Sequence, residues 1–254
     1  MINILIILVL VILINLLLKR LPETEKFSQC PIDNTYVINL AKDKERMNTV
    51  SKELRRENIN FKRFNAIYGK DLNLKSQKCK KYFTDNLTKE LKPGQLGCSM
   101  SHITIWEEIA SKNNNNLYMI LEDDAIVPKN FNKDVMKYIK EMPKNWDMLL
   151  LGANRLIGKK YSENLLYTDR SIKRNGNYGL YAYIIKPKTA EKLLKTCEKM
   201  DKTIDHYLNK NFYINHNVFF CNPHFVSHNY DYHSNLFNRV RSKDASKNNI
   251  IKVI

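Results

Sequence analysis

Five consecutive apolar residues, Leu117-Tyr118-Met119-Ile120-Leu121, lead without a break into three carboxylates, Glu122-Asp123-Asp124. A run this short and this continuous reads as a strand buried on both faces, which requires a sheet with helices packed on either side. The neighbouring pattern agrees. Residues 35–40 are β-branched and apolar, as a strand requires. Residues 43–57 are charged but carry Met47, Val50 and Leu54 at helical spacing, and residues 61–67 return to a strand pattern. A β-α-β opening is the unit of a parallel sheet. Further helices are expected over 99–110, 130–141, 189–197 and 203–209. Strands are expected over 146–151, 178–185 and 213–221, with a loop or hairpin over 156–174. The resulting fold class is α/β.

Residues 1–18 are apolar except for Asn3 and Asn15. At a rise of about 1.5 Å per residue they span about 27 Å, enough for a bilayer core. This segment is expected to be a retained transmembrane anchor. A linker follows over 19–33 with Pro22 and Pro31, then a domain over 34–234, and a basic polar tail over 235–254. The protein is thus expected to be a single-pass membrane protein. Lys19, Arg20 and the basic remainder favour the cytoplasmic face for the domain. The net charge of +16 is spread in short pairs along a chain of 254 residues, so nucleic acid is not an expected partner. The five cysteines form no C-x-x-C pair, which argues against a zinc ribbon.

In parallel α/β sheets, ligands bind beyond the carboxyl ends of the strands. Glu122-Asp123-Asp124 occupies such an end. Three adjacent carboxylates repel one another, and a cation between them relieves the repulsion. Hard oxygen ligands suit Mg²⁺ or Mn²⁺, which can bridge a diphosphate. An exposed acidic turn is the plainer reading of the same residues. A second constellation runs from Pro93 to His102. Gly94 and Gly97 permit close backbone approach, Ser99 is placed to cap the helix that follows, and a helix N-terminus attracts phosphate. Asp205 is either a helix-start carboxylate or a base for an acceptor hydroxyl. In the late run from Asn222 to His228, the histidines are candidates for a metal or pyrophosphate contact.

These segments together resemble glycosyltransferase family 25, the group of lipopolysaccharide and procollagen galactosyltransferases. The matching blocks are Tyr36-Val37-Ile38-Asn39-Leu40 with Asp43 and Arg46, Gly94 to His102 with Trp106, Leu121 to Ala125, Trp146-Asp147 to Gly152, Gly179 to Tyr183 before Ala190, and Asp205. The resemblance implies a GT-A-like fold with a Rossmann-type, mostly parallel mixed sheet flanked by helices. It also implies a UDP-sugar donor and Mn²⁺ (or Mg²⁺). The expected reaction moves a hexose, galactose or glucose, to a hydroxyl of a glycan, a lipopolysaccharide-like molecule or a glycoprotein, with inversion. The family's carboxylate motif falls on the triplet. Asp124 and Glu122 are then expected at the metal, with Glu122 or Asp123 on the ribose or a metal-bound water. His228 is expected as a late metal or diphosphate ligand. Asn39, Gly94, Gly97 and His102 are expected near the nucleotide, Asp205 as general base and Asp147 as a weaker catalytic candidate. The competing expectations are a metal-dependent phosphoester hydrolase using the same carboxylates and a membrane-anchored module that binds nucleotide-sugar without turnover.

Overall fold

The computed structural model describes residues 31–169, 171, 177–229, 231–234, 239–240 and 250–253. The expected anchor and most of the linker lie outside these residues. Among the described residues, no helix is long and apolar enough to cross a membrane.

The chain opens as expected with a parallel β-α-β unit: β1 (Asn34–Asn39), α1 (Lys44–Arg56) and β2 (Lys62–Asn65). A single 3₁₀ turn (Gly69–Asp71) and two short helices, α2 (Gln77–Tyr82) and α3 (Asp85–Glu90), fill the polar stretch that follows. Helix α4 (Pro93–Ala110) then leads to β3 (Tyr118–Glu122) and the two-residue β4 (Ala125–Ile126). After α5 (Phe131–Glu141) come β5 (Met148–Gly152), a hairpin of β6 (Arg155–Lys160) and β7 (Leu165–Tyr167), and β8 (Ala182–Ile185). The chain continues through α6 (Pro187–Thr196), α7 (Ile204–Asn211), β9 (Val218–Cys221) and β10 (Ser227–His228). The hairpin of β11 (His233–Ser234) and β12 (Arg239–Val240) and the strand β13 (Ile250–Val253) follow.

Among the described residues, nine strands form one mixed sheet in the order β13-β6-β7-β9-β5-β8-β3-β1-β2. Strands β2, β1 and β3 run parallel, as do the pairs β5–β9 and β6–β13. Strand β8 runs antiparallel between β3 and β5. Within the stretch read as a polar basic tail, β13 pairs in parallel with β6 at one edge of the sheet.

Alternation of side chains along each strand sends apolar residues to both faces. Tyr36, Ile38, Ile120, Leu150 and Tyr183 pack on one side with α4, α6 and α7. Val37, Met119, Leu121, Leu149 and Ile184 pack on the other with Val50 and Leu54 of α1 and Phe131 and Val135 of α5. The unbroken apolar runs in the sequence are therefore strands covered twice.

Helix α4 begins six residues earlier than expected, because Pro93 occupies its first turn instead of ending a preceding one. Gln95 accepts the Lys92 backbone N–H at 3.0 Å and closes the helix start. Ser99 is accordingly no cap. It lies inside the helix, and its hydroxyl donates to the Gln95 carbonyl. Gly97 is needed for close approach: a Cβ there would lie 2.5 Å from the Ile67 carbonyl oxygen and 2.7 Å from the Gly69 nitrogen. Gly69 is as tightly held, since its Cβ would lie 1.6 Å from the Pro93 oxygen. This glycine pair presses the 3₁₀ turn onto the start of α4.

Replacing a helical glycine with alanine ordinarily stabilises a helix by up to about 1 kcal/mol. At Gly97 the added methyl meets backbone, so Gly97→Ala is expected to destabilise by about 1–3 kcal/mol. Urea unfolding measures this as a lower midpoint at unchanged slope. A midpoint that stays or rises would show that α4 can move away from the turn.

Candidate active site

The carboxyl ends of β1, β2 and β3 open into a cavity of about 370 Å³, within the size range of small-molecule sites. Its walls come from three places: the β1–α1 segment with Lys42 and Arg46, the segment after β2 from Ala66 to Lys70, and the first half of α4 with Lys92, Pro93, Gly94, Cys98, Ser101 and His102. Glu122, Asp123 and Asp124 line the same cavity. β3 ends at Glu122, and the next two residues form a turn.

Asp123 is buried and held from two sides. Asn39 Nδ2 donates to Oδ2 at 2.7 Å, and Arg46 Nη1 meets Oδ1 at 2.7 Å. Burial pushes the Asp123 carboxyl up to about 6, against the downward pull of Arg46 and the Asn39 hydrogen bond. Asn39 is itself fully used. Its amide also donates to the Asp43 carbonyl at 2.9 Å, and its oxygen accepts from Arg63 Nε at 2.8 Å. The structure sets Asn39 as a bracket behind Asp123, between the cavity-lining Ile38 and Leu40, with both amide hydrogens donated within the chain. Asp123 is likewise committed to the bracket, and Glu122 and Asp124 line the cavity beside it.

His228 lies beside the triplet. Strand β10 pairs antiparallel with β4, with His228 opposite Ala125, and the Asn229 N–H donates to the Asp124 carbonyl at 2.7 Å. The His228 ring packs on Tyr181 with centroids 4.8 Å apart. The fold thus brings His228 to a turn 104 residues earlier in the sequence, the neighbourhood in which the family resemblance had set it. Carboxylate oxygens and an imidazole nitrogen are donor types that suit Mn²⁺ or Mg²⁺, but among the described residues the ligand atoms gathered within 4.8 Å of one another are those of Cys98, His102 and Glu122.

Other candidates sit elsewhere. Gly94 lines the cavity, whereas Gly97 is spent on the contact with Gly69. Asp147 precedes β5, at the opposite end of the sheet from Glu122. Its carboxylate accepts Lys192 Nζ at 2.6 Å and the Asn217 N–H at 3.1 Å, and its carbonyl accepts the Thr189 hydroxyl. Its role is structural, a correction to its catalytic candidacy. Asp205 accepts from Thr203 Oγ1, the His206 N–H and the Gly179 N–H. It fastens the start of α7 and does not line the cavity, so the helix-start reading of this residue is the one the structure carries.

The cavity also contains residues that the sequence did not single out as a site. Lys42, Arg46, Lys70 and Lys92 bring four cations to it, and Tyr68 adds an aromatic ring 40% exposed, with Lys42 Nζ 5.8 Å from its centre. In sequence these are scattered basic residues. Only the Lys42–Arg46 spacing, one helical turn, hints that two of them share a face.

A family model described as glycosyltransferase family 25 (LPS biosynthesis protein) matches residues 32–208. Procollagen galactosyltransferase 2 of Homo sapiens is 24% identical over 171 residues, covering 64% of this chain and 27% of that protein. A procollagen lysyl hydroxylase and glycosyltransferase of Acanthamoeba polyphaga mimivirus is 27% identical over 177 residues, covering 64% of this chain and 19% of that protein. The chain thus spans less than a third of the length of these relatives. A crystal structure of a glycosyltransferase involved in glycosylation of the major capsid of PBCV-1 aligns with 10% identity and a TM-score of 0.35, covering 64% of each chain.

Breaking a buried ion pair by removing one partner costs about 3–5 kcal/mol. Arg46→Met is therefore expected to lower stability by roughly 3 kcal/mol. Adding Asp123→Asn to that variant should recover part of the loss, because a neutral amide needs no counter-charge. Denaturant titrations of the two single variants and the double variant measure the coupling. Simple additivity would show that the arginine does not neutralise Asp123.

Proposed function

Because the chain belongs to glycosyltransferase family 25, we propose that it transfers a hexose from a nucleoside diphosphate sugar, UDP-linked, to a hydroxyl of a glycan or glycoprotein. The observation that carries this reading is the division of charge in the cavity. The floor holds Glu122 and Asp124, and Lys42, Lys70 and Lys92 stand around it. A nucleoside diphosphate bound with a divalent cation matches both halves: its phosphates face the lysines and its cation faces the carboxylates.

In this reading Asp124, Glu122 and His228 hold Mn²⁺ or Mg²⁺, and the protein domain has a GT-A-like fold. The ion supplies charge neutralisation for the departing diphosphate. The remaining work belongs to the chain. Lys42, Lys70 and Lys92 bind and orient the phosphates. Tyr68 offers a flat, partly exposed face to the base. The Asp123 bracket keeps the triplet from closing on itself. In the reaction the bond from the sugar's anomeric carbon to the diphosphate breaks and a bond to the acceptor oxygen forms. The acceptor's proton leaves to a base, and the open side of the cavity receives the acceptor. The family's relatives are named for galactosyl transfer, which makes galactose the first sugar to try.

The test is release of UDP from a panel of UDP-sugars by the full chain, with Mn²⁺ and with chelator, beside Asp124→Ala. Release that needs the metal, and falls on the order of 10²-fold or more in the variant, is the expected result. A folded protein that neither releases nor binds UDP would overturn the reading.

A further inference from the structure

Behind the cavity wall lies a chain of buried polar groups that the donor-site reading leaves unexplained. His102 and Trp106 stand one helical turn apart on α4, and Tyr183 faces them from β8, in register with Ile120 of β3. All three side chains are fully buried. Trp106 Nε1 donates to the Tyr183 hydroxyl at 2.8 Å, and His102 Nδ1 lies 2.9 Å from that same hydroxyl. On its other side, His102 Nε2 lies 3.5 Å from Glu122 Oε1 at the cavity floor. It makes no hydrogen bond among the described residues.

Counting hydrogens assigns the direction of this chain. An indole nitrogen only donates, so the tyrosine oxygen receives the Trp106 hydrogen. The hydroxyl has one hydrogen of its own, and His102 Nδ1 is the acceptor beside it. Nδ1 therefore carries a lone pair, and the ring hydrogen sits on Nε2, aimed at Glu122. The opposite tautomer would point two donors at the tyrosine oxygen and strand the hydroxyl hydrogen without an acceptor in a dry interior, which buried groups avoid.

We infer that Tyr183 and Trp106 lock His102 as the Nε2–H tautomer, so that the ring is a neutral hydrogen-bond donor that positions the Glu122 carboxylate at the cavity floor. The 3.5 Å gap is longer than a normal hydrogen bond, and a small rotation of the Glu122 side chain closes it. His102 and Tyr183 are then positioning residues, with Tyr183 acting through His102. The inference also bears on a metal centre at the same place, where an ion held through Nε2 has to displace the ring hydrogen. Cys98, His102 and Glu122 offer ligand atoms within 4.8 Å of one another. An ion there needs the Nε2 lone pair, which this tautomer does not have. The effect on turnover rests on the donor-site reading, whereas the tautomer does not.

Two measurements separate these levels. In the full chain labelled with ¹⁵N-histidine, two-bond nitrogen–proton spectra report the tautomer, with His102 assigned by the signals lost in His102→Gln. The expected wild-type pattern is a protonated Nε2 and a lone-pair Nδ1, unchanged by added Zn²⁺ and averaged between tautomers in Tyr183→Phe. A protonated Nδ1 in the wild type, or Zn²⁺ binding at Nε2 that Cys98→Ser abolishes, overturns the lock. The wild-type spectrum decides this even where a variant fails to fold. The second measurement compares donor turnover. His102→Gln keeps an N–H for Glu122 and should retain more kcat/KM than His102→Leu, which should lose about 10–100-fold at a comparable melting temperature. A folded His102→Leu with full turnover overturns the positioning role. A wild-type protein with no turnover overturns the donor reading alone, and the spectrum still decides the lock.

Discussion

Asp123 between Asn39 and Arg46 is the contact on which the cavity depends. A carboxylate buried at a strand end is tolerable only when its charge is matched and its lone pairs are filled. Asn39 comes from the last position of β1, Arg46 from the first turn of α1, and Asp123 from the turn after β3. One bracket therefore ties the ends of two parallel strands to the helix between β1 and β2. It also divides the labour of the triplet. Asp123 is matched from behind by Arg46 and Asn39, while Glu122 and Asp124 line the cavity at its side.

The second constraint is the contact of Gly97 and Gly69. Without side chains at these points, the backbone after β2 lies directly on the start of α4. That contact carries Lys70 and Lys92 to the cavity from segments about twenty residues apart in sequence. The same helix turns His102 inward onto Glu122, and Trp106 and Tyr183 fix its ring from behind. The cavity thus has a cationic rim made by loops and an anionic floor made by a strand end.

Much of the architecture was legible in the chain. The run from Leu117 to Leu121 could only be a strand covered on both faces, and the β-α-β opening followed from spacing alone. One boundary and one residue's role were misread for identifiable reasons. Pro93-Gly94 is a turn signal in isolation, yet proline is equally at home in a first helical turn, and the Gln95 cap settles the matter locally. Asp147 stood among the catalytic candidates through the family resemblance, as the weaker of two. The strand's direction places it at the far end of the sheet, and direction is not written in a single segment.

What the sequence determined by itself is therefore local: which segments are strands and helices, which strand ends in carboxylates, and through its ordered blocks, which family the chain resembles. These rest on periodicity, on the cost of burying polar groups and on short-range turn chemistry, all readable within about twenty residues. The tertiary structure alone decided the use of each group. It set Asn39 and Arg46 behind Asp123, brought His228 to Ala125 across more than a hundred residues, gathered scattered lysines onto one cavity, and gave His102 the tautomer that Tyr183 and Trp106 impose. The physical reason is that hydrogen-bond and charge partners are chosen by proximity in the folded chain. That proximity comes from how strands are ordered and pointed in the sheet, which no local pattern encodes.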